Sequence, residues 1–174
     1  MAEFLLVKKF RLEKFKIEDF DFYYQLVACK RVMAMITEKA IPYDEAKSKF
    51  DRLIQNNNLH SVFGTFKITD ASSNDFVGLV KLTINKIDDK KAELGFMLLP
   101  EYWGKGIAGK AAKRLIKMAK SENQIERIIA IIDPKNMASR RILIKNKFLT
   151  KELKSFDGLP GEVLELKLYG NKKQ

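Results

Sequence analysis

The stretch AELGFMLLPEYWGKGIAGK, residues 92–110, decides the fold of this chain. Residues 92–99 are apolar apart from Glu93 and Gly95, and Pro100 closes them, the pattern of a strand. Gly104, Gly106 and Gly109 follow at once. Beyond them Ala108, Ala111, Ala112, Leu115, Ile116 and Ala119 fall on one helical face, with Lys113, Lys117 and Lys120 opposite. A strand, a glycine-rich turn and a helix start bring unpaired backbone N–H groups toward one point, where the helix dipole is positive, which suits an anion. The same glycines also serve as a plain turn, so alone they assign no ligand. No Gly-Lys-Ser/Thr closes the turn, which removes a Walker-type loop, and the spacing is not that of a dinucleotide fingerprint.

Downstream, residues 127–132 read as a buried strand stopped by Pro134, and residues 138–146 as a short helix. Asn136 is suited to cap that helix. Asn136 and Ser139 thus have two readings, as capping residues or as groups facing a ligand. Residues 163–169 form a closing strand. Upstream, residues 10–15 alternate as a first strand, and residues 20–37 and 44–55 carry helical spacing. Residues 62–68 and 76–84 form a hairpin about the turn Ser72-Ser73-Asn74-Asp75. The expected fold class is α+β (mixed α/β) around one sheet, not a doubly wound one. Its four prolines fall at element boundaries and no linker or repeat interrupts it, so residues 1–174 form a single domain.

The chain has 174 residues, with 33 Lys and Arg against 22 Asp and Glu, a net charge of +11. At 46% hydrophobic and 32% charged residues it can fill a core and face water, which excludes a wholly disordered chain. No apolar run approaches the roughly 20 residues that cross a bilayer. The N-terminal residues lack a signal-peptide pattern, so the expected setting is cytoplasmic. Cys29 is the only cysteine and His60 the only histidine, so no intrachain disulfide and no metal site are expected. The basic excess gathers at residues 8–16, 105–120 and 135–147, as solvated faces or as a field for polyanions.

Taken together, the two constellations resemble the GNAT family of acyl-CoA N-acyltransferases, and within it the RimJ/RimL-like branch of ribosomal-protein N-terminal acetyltransferases. The residues that carry the resemblance are Ala92-Glu93-Leu94-Gly95-Phe96, Tyr102-Trp103-Gly104-Lys105-Gly106-Ile107-Ala108 and Asn136-Met137-Ala138-Ser139, with the helix up to Phe148. The family's loop, Arg/Gln-x-x-Gly-x-Gly/Ala, is matched by Gly106 and Ala108, with Trp103 in the first position. Lys147 stands where the family has glycine before Phe148. There a left-handed helix cap would cost lysine on the order of 1 kcal/mol.

The resemblance implies a GNAT fold, a mostly antiparallel, partly splayed sheet of six or seven strands flanked by about four helices. It implies acetyl-CoA as co-substrate, lying where the strand through Phe96 diverges from the strand ending at Ile132. Main-chain groups near Met97 and Leu98 would pair with the pantetheine arm. The amides of Gly104, Lys105, Gly106, Ile107, Ala108, Gly109 and Lys110 would hold the pyrophosphate, and Lys105, Lys110, Arg140 and Arg141 would attract the phosphates. Asn136 would bond the pantetheine and Ser139 would lie by the thioester sulfur as proton donor. Glu93 matches the family's base, against a plain reading as an exposed strand residue; Glu162 and Glu152 are alternatives.

An amine must lose its proton before attack, which at pH 7 costs about 1.4 kcal/mol for an α-amino group and about 4.6 for lysine. An α-amine therefore needs only a modest base, and the resemblance to the RimJ/RimL-like branch makes a protein N-terminal α-amine, of a ribosomal or other protein, the first expected acceptor. Small amines stay open, with acceptor identity in the first two helices and the loop 155–161. A second class of function is an RNA- or ribosome-binding domain with a vestigial CoA site, favoured by the charge but lacking exposed stacking aromatics. Relatives in the family are monomers or homodimers.

Overall fold

The computed structural model describes residues 5–7 and 9–168. In chain order it runs β1 (Leu5–Val7), β2 (Phe10–Lys14), α1 (Phe20–Val27), α2 (Lys30–Met33), α3 (Tyr43–Asn57), β3 (Gly64–Asp70), β4 (Phe76–Thr83) and β5 (Lys91–Leu98). Then come α4 (Ile107–Ser121), β6 (Arg127–Ile132), α5 (Met137–Lys145), β7 (Leu149–Phe156) and β8 (Leu159–Lys167). Among the described residues the strands form one eight-stranded sheet in the order β1-β2-β3-β4-β5-β6-β8-β7, antiparallel except between β5 and β6. The expected mixed α/β class holds; the short β1 and the edge strand β7 enlarge the sheet.

One core lies between the sheet and α4, where Ala111, Ala112, Leu115 and Ala119 pack on Leu82, Leu94 and Ile128. A second is built from α1–α3, with Leu26, Met33 and Phe50 against Phe15, Phe76 and Leu79.

Three departures from the sequence reading have physical causes. The helix expected over residues 20–37 breaks at Cys29, which is extended (φ −79°, ψ 110°). Tyr23, Leu26 and Val27 set the buried face; continued helically, that face would next present Lys30 and Arg31, yet Val32 and Met33 are the buried residues. The break resets the phase. Strand β7 carried no strand signal because it is an edge: every residue but Phe156 is exposed, and Leu149 and Leu153 recur at a helical spacing. The segment 155–161 is accordingly not a free loop. It is the end of a β7–β8 hairpin, turned by Asp157 and Gly158, both at positive φ (49° and 83°), the two-residue turn that matches strand twist. Strand β8 begins at Leu159, earlier than expected, and Tyr169 lies outside the described residues.

Helix α5 ends as its sequence suggested. Lys147 takes the left-handed conformation (φ 71°), and the N–H groups of Lys147 and Phe148 donate to the carbonyls of Ile144 and Leu143 at 2.9 and 3.1 Å. Leu143 and Phe148 are fully buried beneath this cap.

Candidate active site

Strands β5 and β6 pair only over Lys91↔Arg127, Ala92↔Ile128 and Glu93↔Ile129, and then splay. On its other edge β5 stays in register with β4 from Glu93 to Leu98. The Leu99 N–H donates to the Val77 carbonyl at 3.0 Å, and antiparallel alternation then turns the main-chain groups of Met97 and Gly95 toward β4. Those of Phe96 and Leu98 point into the splay. The Leu98 carbonyl is already engaged, accepting from the Trp103 indole Nε1–H at 2.8 Å. Phe96 and the Leu98 N–H are therefore the groups offered to an added strand, and Met97 contributes its side chain to the wall.

Below the splay, Gly104 and Gly106 both have φ 73°, which L side chains rarely adopt, and a Cβ at either would meet nothing within 4 Å. The loop is thus an open cradle. Helix α4 starts from Gly106 without a side-chain cap and with no acidic residue in its first turn. Its first internal bond is from the Lys110 N–H to the Gly106 carbonyl at 3.2 Å, so the amides of Ile107, Ala108 and Gly109 face outward without a helical acceptor. The Lys110 amide is spent within the helix, and only its side chain is on offer. Lys105 is drawn to the Tyr102 ring, 5.2 Å from its centroid.

Across the splay, Asn136 caps α5. Its Oδ1 accepts from the Ser139 N–H at 3.1 Å, which leaves the Asn136 Nδ2 and the Ser139 hydroxyl on the cleft wall. Arg140, next in sequence, turns away. Its Nε donates to both oxygens of Glu162 at 3.2 Å, and Glu162, 3% exposed, also accepts from the Thr150 hydroxyl. Glu162 is thus buried and does not line the cleft, which removes it as a base, and Arg140 is spent on it rather than on a phosphate. Glu152 pairs with Lys154 at 3.1 Å on the exposed edge strand, away from the cleft.

The opposite end of the cleft lies between the sheet and α3. Glu93, 37% exposed, is held by the Lys81 ammonium at 2.6 Å. Gly95 permits this pair: a Cβ there would lie 2.7 Å from the Lys81 Cε, so the lysine stem crosses the glycine to reach Glu93. Lys49, Arg52, Leu53 and Asn56 line the facing wall from α3 at helical spacing. Tyr23 lies in the same wall, and burial, with the Glu45 carboxylate second, pushes its hydroxyl up to about 12, so it stays protonated at neutral pH. In all, the cleft encloses about 1300 Å³ and runs from the glycine loop past Ser139 to Glu93.

Sequence reasoning gave the acceptor side to the first two helices without singling out Lys49, Arg52, Leu53 or Asn56, and it missed Lys81; their only signals were an ordinary amphipathic stripe and a cross-strand register. His60 accepts a hydrogen bond from the Val62 N–H and packs on Phe63, a loop-fixing role. Among the described residues no His, Cys, Asp or Glu cluster could hold a metal ion, and no helix is long and apolar enough to cross a membrane.

A family profile described as "Acetyltransferase (GNAT) domain" matches residues 9–149. The chain belongs to the GNAT acetyltransferases. A relative, the N-acetyltransferase p20 of Bacillus licheniformis, is 22% identical over 170 residues, covering 96% of this chain and 94% of its own. Among solved structures, the ribosomal L7/L12 α-N-protein acetyltransferase RimL in complex with coenzyme A superposes with a TM-score of 0.78 at 15% identity, covering 95% of this chain and 98% of its own. Spermidine N-acetyltransferase from Vibrio cholerae, in complex with CoA and spermine, superposes with a TM-score of 0.76 at 17% identity, covering 92% and 96%. Both likenesses are of fold.

Proposed function

We propose that this GNAT enzyme transfers the acetyl group of acetyl-CoA to a protein N-terminal α-amine, as a member of the RimJ/RimL-like branch. The observation that carries the proposal is one continuous cleft. It joins the outward amides of Ile107, Ala108 and Gly109, the splay-facing groups of Phe96 and Leu98, and the side chains of Ser139 and Glu93.

Acetyl-CoA supplies an activated thioester. The α4 amides hold its pyrophosphate, with Lys105, Lys110 and Arg141 adding charge, and Gly104 and Gly106 leave the loop open for it. Phe96 and Leu98 hold the pantetheine arm as an added strand, and the Asn136 Nδ2 donates to it. Glu93, directly or through a water, takes the proton of the acceptor ammonium. As the new N–C bond forms and the C–S bond breaks, the Ser139 hydroxyl donates to the departing thiolate and is restored by the second proton that the nitrogen sheds in becoming an amide. The base need only supply about 1.4 kcal/mol for an α-amine, against about 4.6 for lysine, which fits a carboxylate already paired with an ammonium. Most of the rate comes from holding the two reactants together.

The test is acetyl transfer to short peptides with free N-termini, read by free-thiol release and by the mass of the peptide. Transfer to the α-amine, lowered on the order of 100-fold in Glu93→Gln and about 10-fold in Ser139→Ala, supports the roles given. Equal turnover in both variants contradicts them.

A further inference from the structure

The acceptor end of the cleft carries a charge pattern that the transfer itself does not need. Four cations line it, Arg31 from α2, Lys49 and Arg52 from α3, and Lys81 from β4. Two are neutralised locally: Lys49 pairs with Glu45 at 3.4 Å and Lys81 with Glu93 at 2.6 Å. Arg31 and Arg52 have no carboxylate within ion-pair distance among the described residues.

Arg31 is nevertheless held in place. Its guanidinium lies 5.2 Å from the centroid of the Trp103 ring, and the Trp103 indole is in turn fixed to the Leu98 carbonyl at 2.8 Å. A planar cation is thus mounted where the acetyl-CoA loop meets the acceptor helices, with its edges uncommitted. Arg52 stands one helical turn beyond Lys49 on the wall opposite Glu93. Of the three other acids on the cleft, Glu38 and Asp157 sit exposed in the segment after α2 and at the tip of the β7–β8 hairpin, and Asp133, just past β6 beside Asn136, accepts from the Lys135 N–H at 2.8 Å. Around these groups the whole chain supplies a net charge of +11, a field that draws anions and repels polycations.

Resting on the N-terminal-amine reading, we infer that the acceptor is an acidic N-terminus, a peptide with aspartate or glutamate within its first few residues. The α-amine reaches Glu93 while a following carboxylate meets the guanidinium of Arg31 or Arg52. Arginine suits this task because its fork binds a carboxylate through two parallel hydrogen bonds.

The experiment compares three peptides of equal length with the same first residue and a free N-terminus. Residues 2–4 are acidic, neutral or basic. kcat/KM is measured for each at saturating acetyl-CoA, in low salt and in about 0.5 M salt, with wild type, Arg31→Glu and Arg52→Glu. The expected order is acidic over neutral over basic, with about tenfold between the extremes, carried in KM and shrinking in salt. Either charge reversal narrows or inverts that order, and Arg52→Glu leaves the affinity for acetyl-CoA, measured by calorimetry, unchanged. Turnover of all three peptides at equal kcat/KM, or a preference for the basic one, overturns the inference and leaves the N-terminal-amine reading standing. Transfer to none of the three, with acetyl-CoA bound, overturns both.

Discussion

Two helices begin beside the same cleft, and they begin in opposite ways. Helix α4 starts bare, from a left-handed Gly106 with no side-chain cap, and leaves the amides of Ile107, Ala108 and Gly109 for a ligand. Helix α5 starts closed: the Asn136 Oδ1 takes the Ser139 N–H, and Arg140 in its first turn is locked to the buried Glu162. A helix start that the protein completes holds side chains in place. One that it leaves incomplete is where a polyanion finishes the structure.

The contrast is broken most severely at Gly106. Gly106→Asp sets a carboxylate among the open amides and forces a side chain into φ 73°, so acetyl-CoA affinity is expected to fall on the order of 100-fold by calorimetric titration. Next comes the lock on α5. Glu162→Ala strands Arg140 and the Thr150 hydroxyl and should cost about 2–3 kcal/mol, a drop of about 5–10 °C in thermal midpoint. The figure stays below that of a fully buried pair because the Arg140 side chain is 38% exposed.

Asn136 separates capping from ligand binding. Asn136→Ala should cost about 1 kcal/mol of stability, whereas Asn136→Asp keeps the cap and loses the Nδ2 donor. For the aspartate variant, an unchanged midpoint with acetyl-CoA binding weakened a few-fold supports both roles; unchanged binding reduces Asn136 to a cap. The smallest effect lies at the far end of α5, where Lys147→Gly relieves the left-handed lysine. A gain of about 0.5–1 kcal/mol is expected by denaturant titration, with kinetics unaffected.

The bare helix start was legible in the sequence down to its residues, whereas the acceptor wall was legible only as two helices and a segment, for a physical reason. Glycines at 104 and 106 announce backbone conformations that other residues avoid, and Asn136 before a helix announces its cap, so local chemistry marks that half of the cleft. Lys81 meets Glu93 only because β4 and β5 pair Lys81 with Gly95, and a register of that kind exists only once the sheet is folded. Arg140 illustrates the same limit. Its position beside Ser139 suggested phosphate binding, and only the approach of β8 revealed Glu162 as its partner. The broken helix at Cys29 was legible in principle, since Lys30 and Arg31 fall where the buried face would have continued.

An acetyl-CoA site at the open start of α4, with the splay beside it, makes a direct thermodynamic demand: the ligand must stabilise the native protein. The most direct measurement is the thermal midpoint of the protein with and without acetyl-CoA. At about 100 times the dissociation constant, binding to the native state alone adds about 2.7 kcal/mol, so the midpoint should rise by about 5–10 °C, a rise that Gly106→Asp abolishes. A midpoint that stays fixed in the wild-type protein up to about 1 mM acetyl-CoA would contradict it.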